Sequence, residues 1–441
     1  MTKKKRNAPL SEAEQINLIL QKQQKEEAAR VVLTTEEKHA VRVKRTKKAL
    51  KRTAVVLVTV ICVIALLTGV SALTNNANMK LAKSFQAVKK ADALTPFTDP
   101  ETGNTTFETD REFTVLQLTD VHIGGGFMSY KKDSSAMNAV AALITEVKPD
   151  LVIVTGDMVY PVPFFSGSLN NMIPSRLFAQ TMESLGAYWT VAYGNHDTEA
   201  YSYYSREELS DYYSSDELKY CLFETGPDDV DGYGNQIINV QNSAKVITQS
   251  IVVFDSHAYT KGFYQDYDNI HPNQIEWYER EIIRLNGINK SSRGADENSM
   301  IKSLAFFHIP LVEVKDAWFE RTANGDKDTA NVKKIYGVAG ESGNVVYCGI
   351  GEDELFETML RLGSTQGVFS GHDHLNNFSI DYNGGSGDKY IRLTYGMSID
   401  YLAYVGIAKK TAQRGGTVIT TLPDGSFDCY GLRYVDMERI D

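Results

Sequence analysis

An α/β fold preceded by one membrane span is what this sequence predicts, and three observations carry the expectation. Short apolar runs of strand length alternate with helical stretches from Arg111 onward, the βαβ rhythm of a sheet covered on both faces. Five of those runs stop on Asp, Asn or His: at Asp120-Val121-His122, Gly156-Asp157, Gly194-Asn195-His196-Asp197, His308 and His372-Asp373-His374. Residues 53–73 form an uncharged run of 21 positions, long enough to cross the hydrocarbon core of a bilayer as a helix.

Charge divides the chain at that run. Residues 1–52 carry 15 Lys and Arg against 6 Asp and Glu, net +9; the remainder carries 31 against 50, net −19. An acidic body of this size is not expected to bind nucleic acid. Ser11 to Lys48 is rich in Glu, Gln, Lys and Ala and reads as a solvated helix or a disordered tail. Its apolar positions Ile16, Leu18, Ile19 and Leu20 keep no sustained heptad. Val41 to Arg52 holds seven Lys and Arg beside the apolar run. The positive-inside rule therefore places the N-terminus in the cytoplasm and everything after Leu73 outside the cell membrane, as a single-pass protein. The basic cluster also suits anionic headgroups. Val70-Ser71-Ala72 has the small-residue pattern of a cleavage site, but so long a leader and so long an apolar run favour an uncleaved anchor. An apolar surface all round argues against a core helix.

Thr74 to Asp110 is polar and broken by Asn75-Asn76, Thr95-Pro96 and Asp99-Pro100, which reads as a stalk, helical over Asn78–Ala91. Residues 111–441 are expected to form the main folded domain, the one that carries these strand ends. Strands are expected at Phe113–Leu118, Leu151–Val154, Tyr188–Tyr193, Gln236–Gln241, Val246–Phe254, Leu304–Phe307 and Gly367–Phe369. Helices are expected over Ser134–Val147, about Asn170–Leu185, Ser205–Phe223, and from His271-Pro272-Asn273 through "QIEWYEREIIRL". Residues 288–300 and 319–350 read as insertions, and Phe378–Tyr382, Tyr390–Thr394 and Thr417–Thr421 as a closing antiparallel run. Cys62 lies in the apolar run and Cys221, Cys348 and Cys429 make an odd set beyond it, so no disulfide framework is expected.

One histidine beside an apolar run is ordinarily a packed core residue. Five of the eight in the chain (His122, His196, His308, His372, His374) stand at strand ends with Asp120, Asp157 and Asn195, and together they describe a metal site. Two cations held close together need a bridging carboxylate, and Asp157 is the natural bridge because Gly156 lets the backbone approach. Mixed His and Asp donors suit Mn, Fe or Zn; no thiolate motif argues for structural zinc. Gly124-Gly125-Gly126 offers backbone amides to a phosphate or is a flexible turn. His257 and His271 belong to no strand end and read as packing or surface residues. The insertions at 160–171, 201–213, 257–270 and 323–351 are expected to wall the site, their aromatic side chains serving as packing or as a platform for a ring.

The order Asp-x-His, Gly-Asp within "PDLVIVTGD", Gly-Asn-His-Asp, a lone His and Gly-His-x-His resembles the calcineurin-like metallophosphoesterase superfamily. "LAFFHIPL" and "GHDHLNN" are most similar to its purple-acid-phosphatase-related branch. The resemblance implies a two-sheet β-sandwich flanked by helices and two metal ions. One would be held by Asp120, His122, Asp157 and His374, the other by Asp157, Asn195, His308 and His372. It further implies His196 as the proton donor, Asp197 as its orienting neighbour, and hydrolysis of a phosphate mono- or diester, a small molecule or nucleotide. Purple acid phosphatases proper replace the first-block His with a Tyr in Gly-Asp-x-x-Tyr; this chain has both His122 and Tyr160, and His122 is expected to be the ligand with Tyr160 a pocket wall. The competing expectation is an inactive membrane-tethered binding protein of the same fold. Decay should begin with a lost ligand or proton donor, and the sequence lacks neither.

Overall fold

The computed structural model describes residues 11–28, 34–351, 353–385, 387–404, 407 and 414–440. The chain divides into two compact units, Met1–Thr68 and Gly69–Asp441. In the first, helix α1 (Glu12–Ala28) opens on a capping box: Ser11 N–H donates to the Glu14 carboxylate at 2.9 Å, and Glu14 N–H donates back to Ser11 Oγ at 3.4 Å. Thr34 and Glu37 repeat the device at the start of α2 (Thr35–Ser84). Of the two readings of this tail, its described residues follow the helical one. Helix α2 contains the apolar run and is long and apolar enough to cross a membrane.

The second unit builds on alternation. Its first half contains β1 (Phe97–Thr98), β2 (Thr105–Glu108), β3 (Phe113–Leu118), α3 (Tyr130–Val147), β4 (Leu151–Thr155), α4 (Pro163–Ser166), α5 (Met172–Leu185), β5 (Trp189–Ala192) and α6 (Arg206–Tyr213). Then come β6 (Gln236–Gln241), β7 (Ile247–Val253), α7 (Pro272–Ser292), β8 (Ser303–Phe306), α8 (Val312–Ala323), β9 (Val332–Tyr336), α9 (Leu355–Leu362) and β10 (Thr365–Ser370). The chain finishes with β11 (Ser379–Tyr382), β12 (Ile391–Tyr395), β13 (Gly415–Thr421), β14 (Phe427–Arg433) and β15 (Glu438–Ile440). These strands make a nine-stranded sheet, β1-β2-β6-β7-β8-β10-β12-β11-β9, and a six-stranded sheet, β15-β14-β13-β3-β4-β5.

The two-residue period of a strand sends alternate side chains to opposite faces, and here it separates three apolar layers. Val115, Leu151, Ile153 and Ala192 of one sheet meet Ile251, Val253, Leu304, Phe306 and Phe369 of the other in the layer between them. Their neighbours Leu116, Val152, Val154 and Val191 face outward into the layer shared with α3 and α5. Val252, Ala305 and Val368 face the opposite layer with α7, α8 and α9. The result is the expected two-sheet sandwich flanked by helices.

Several boundaries depart from expectation. The segment 74–110 is not a free stalk: Asn78 and Ala82 are buried, and β2 pairs with β6 in parallel register. The expected closing run divides between the sheets, with β12 parallel to β10 and β13 antiparallel to β3. Residues 319–350 are not all insertion, since β9 adds the edge strand beside β11. Helix α6 stops at Tyr213 because Tyr220 and Leu222 run along β5 instead; Trp189 N–H donates to Tyr220 O and Leu222 N–H to Trp189 O.

Candidate metal centre

The parallel strands β3, β4, β5, β8 and β10 deliver their carboxyl ends to one edge of the sandwich, the place where open α/β sheets bind ligands. Each end carries the residues singled out above. Asp120 and His122 follow β3, Asp157 follows β4, Asn195 and His196 follow β5, His308 follows β8, and His372 and His374 follow β10. Asp120, His122, Asp157, Asn195 and His308 are at most 1% exposed. Gln117 ties the sheets together behind them, its amide donating to Thr155 Oγ1 at 2.9 Å and to Ser370 O at 3.0 Å.

The backbone bends sharply to present these groups. Asp120, His122, Asp157 and His372 all take positive φ, at 49°, 52°, 50° and 82°, a conformation that side chains other than Gly adopt at a cost. Close approach also needs two glycines: a Cβ on Gly156 would fall 2.5 Å from the His308 ring, and one on Gly194 would fall 2.2 Å from Asp157 Oδ1. The same dense packing holds Asp197, which accepts backbone N–H groups from Gly194 at 2.7 Å and from Asp157 and Val159 at 3.0 Å. Asp197 therefore orients the loops and makes no hydrogen bond to the His196 ring among those described.

Two donor groups result. Ligand atoms of Asp120, His122, Asp157 and His374 lie within 4.8 Å of one another, as do those of Asp157, His308 and His372. Asp157 belongs to both. Asn195 Oδ1 stands 3.2 Å from His308 Nε2, beside the second group. Hydrogen bonds from the other ring nitrogens fix which atom faces inward. His308 Nδ1 donates to Thr155 O at 2.9 Å and His374 Nδ1 to Asp400 Oδ2 at 3.2 Å, leaving each Nε2 toward the carboxylates. Asp157 Oδ2 lies 3.3 Å from His308 Nε2, and Asp120 Oδ1 lies 3.3 Å from His374 Nε2. Buried Asp120 Oδ1 and both His122 ring nitrogens have no hydrogen-bond partner. Orphaned buried polar atoms are costly unless something completes them, and a cation pair meets that need. The residues present fit two metal ions.

The buried carboxylates dominate the local electrostatics. Burial works against a charged His308, yet Asp157 beside it draws the ring up to about 9. Burial and the charge of His308 push His372 down to about 3. His196 lines the open cleft beside Asp157, Tyr160, Tyr267 and Tyr404, a space of about 180 Å³. Its Nδ1 meets Glu199 Oε1 at 2.7 Å and its backbone N–H donates to Asp157 Oδ1 at 2.8 Å. Burial disfavours its charge, but Asp157 and Glu199 outweigh burial and raise it above the ordinary value. Tyr160 packs on His122 and His196 at ring separations of 4.8 and 4.9 Å, as a wall.

Sequence reading missed Glu199 and Asp400. Glu199 stands three residues after His196 in "HDTE", and Asp400 follows the apolar run of β12 just as Asp120 follows β3; both signals were present. The glycine triplet offers no phosphate cradle through its amides. Gly124 and Gly125 N–H donate to the Asp133 carboxylate at 2.8 and 3.0 Å, and Gly126 N–H to Ser129 Oγ at 3.2 Å, so the opening of α3 consumes them. His257 and His271 stack on each other at 3.9 Å, as packing residues do.

Comparison with known proteins identifies the family. The family model described as calcineurin-like phosphoesterase matches residues 113–376. "Probable inactive purple acid phosphatase 14" of Arabidopsis thaliana is 30% identical over 329 residues, covering 69% of this chain and 75% of that protein. Arabidopsis "probable inactive purple acid phosphatase 29" is 26% identical over 321 residues, covering 68% and 74%. A solved dimetal phosphatase from Danio rerio has 11% identity and a TM-score of 0.45, covering 73% of this chain and 96% of its own. With the family model matched across every one of the five strand ends, the chain belongs to the calcineurin-like phosphoesterase family.

Proposed function

We propose that this chain is a membrane-anchored, extracellular phosphohydrolase that cleaves phosphate mono- or diesters at a dinuclear metal centre. The observation that carries the reading is the pair of donor groups joined through Asp157, with His196 in the cleft beside them. Asp120, His122, Asp157 and His374 would hold one ion, and Asp157, Asn195, His308 and His372 the other, with Mn, Fe or Zn suited to these donors. Such a pair, when bound, neutralises phosphoryl charge and makes water nucleophilic at neutral pH. His196 keeps Nδ1 on Glu199, which leaves Nε2 to protonate the departing oxygen. Asp197 fixes the loop that carries this ring. Seven basic residues before the apolar run favour a cytoplasmic N-terminus and an extracellular body.

A second reading is favoured by one specific observation: relatives are named as inactive purple acid phosphatases. Under it, the chain is a tethered binding protein. The full chain in detergent, loaded in turn with Mn, Fe, Zn, Co and Ni, separates the two when offered a monoester, a diester, nucleotides and a cyclic nucleotide. Hydrolysis is expected, with kcat reduced by about 10²–10⁴-fold in His196→Ala and metal content unchanged. No phosphate release with metal bound would select the binding protein; an undiminished His196→Ala would remove the assigned proton donor.

A further inference from the structure

Two loops at the mouth of the cleft end in aromatic side chains held in water. Phe164 is 88% exposed, Phe263 93% and Tyr264 86%. Their loops also line the cleft. Phe165, next to the first tip, meets Tyr160 at 5.9 Å. Tyr259 and Tyr267 flank the second tip, bridge through their backbones and stack at 5.9 Å, and Tyr267 packs on His372 at 4.2 Å. Core packing accounts for neither tip, and large exposed apolar groups gathered at a cleft mark a contact surface.

A second observation identifies the surface. Asn75 stands two residues beyond the apolar run and donates from its amide to Gly125 O at 2.9 Å. The same loop holds the first aromatic tip. Met128 N–H donates to Ser166 O at 3.0 Å, and Gly126 lies so close that a Cβ there would come within 2.0 Å of that oxygen. Met128 adds a half-exposed apolar side chain. The chain therefore leaves its membrane-length run at the corner of the body that carries Phe164. Among the described residues, the lining of the cleft includes Tyr160, Tyr267, Tyr347, Tyr404 and Glu341 but no Lys or Arg. Such a wall offers no countercharge to a polyphosphate and an apolar flank to a single phosphate on a hydrophobic alcohol.

We propose that Phe164, Phe263 and Tyr264 dock the mouth of the cleft on the bilayer in which the chain is anchored, and that the ester drawn into it is a lipid phosphate. The substrate half rests on the hydrolase reading above. Aromatic rings favour the interfacial zone of a membrane. The acidic body gains nothing from anionic headgroups, so the contact is apolar and suits a zwitterionic surface.

The test uses the full chain reconstituted in phosphatidylcholine vesicles containing a small fraction of phosphatidic acid. Phe263→Trp and Phe164→Trp should add emission that is blue-shifted and lost when the acyl chains carry bromine. Ile283→Trp, half-exposed on α7, should keep its emission; the three native Trp residues are buried and set the background. Unquenched tips, or equal quenching at Ile283→Trp, overturn docking. Metal-loaded protein should release phosphate from the vesicle phosphatidic acid with kcat/KM at least about tenfold above that for p-nitrophenyl phosphate. Release from the soluble ester alone overturns the lipid substrate while leaving the hydrolase standing. Silence on both removes the hydrolase and the lipid substrate with it.

Discussion

Glu199 holds the ring that the proposed chemistry depends on. Its carboxylate meets His196 Nδ1 at 2.7 Å and accepts from Tyr259 OH at 3.4 Å, while Tyr259 accepts from the Asn195 amide at 2.9 Å. One side chain thus links the proposed proton donor to a proposed metal-holding residue. Glu199→Ala should lower kcat by about 10–100-fold with metal content intact, and Glu199→Gln, which keeps a hydrogen-bonding oxygen, should recover part of the loss. An unchanged kcat in Glu199→Ala would leave His196 oriented by other contacts. Tyr160 makes a second case. Burial and the nearby carboxylates push its hydroxyl up to about 12, and its ring packs edge-on against His122. Iron-loaded protein should therefore show no strong visible tyrosinate band; a band that disappears in Tyr160→Phe would make Tyr160 a ligand.

Strand ends place the candidate ligands, and a polar anchor at the opposite end fastens the sheet. Asp150, at the start of β4, accepts from Lys90 Nζ at 2.7 Å, from Arg111 at 2.8 and 2.9 Å, and from Thr114 N–H at 3.0 Å. These contacts fasten the segment before β3 to the six-stranded sheet. Burial opposes the charge on Asp150, but the Arg111 and Lys90 cations outweigh it and hold the carboxyl below its usual range. A depressed folded-state pKa gives stability that is full above the unfolded value of about 3.9 and is lost as pH falls through the folded value. Asp150→Asn should cost about 3 kcal/mol at neutral pH, and the difference from wild type should shrink below about pH 4. Chemical unfolding at the two pH values checks this; an equal loss at both would assign the effect to packing.

Across the whole chain, the proposed arrangement is a cytoplasmic tail over 1–52, an anchor over 53–73, a connecting segment over 74–110 and a catalytic body over 111–441. Burial of Asn78 and the pairing of β2 with β6 tie the connecting segment to the body, so a truncation inside it would remove strands from the large sheet. Protease added to intact cells should digest the body and spare a tag placed within the first 52 residues. Protection of the body would reverse the proposed orientation.

By itself the sequence determined the alternation of elements and the membrane-length run, and it offered seven candidate metal-holding residues, because each rests on local physics. A strand needs a short apolar run, a span needs a long one, and the candidate donors stand directly after such short runs. What only tertiary structure decided is where non-local partners lie. Asp400 reaches His374 from 26 positions away, and nothing local tells an acid after a strand that it meets an imidazole instead of solvent. The amides of Gly124 and Gly125 were free to serve a phosphate until the fold brought Asp133 onto them. Likewise Thr105–Glu108 reads as part of a polar linker because a strand at a sheet margin gains its hydrogen bonds from a partner more than 130 residues away. Local pattern specifies which groups a chain can offer; packing specifies which of them meet.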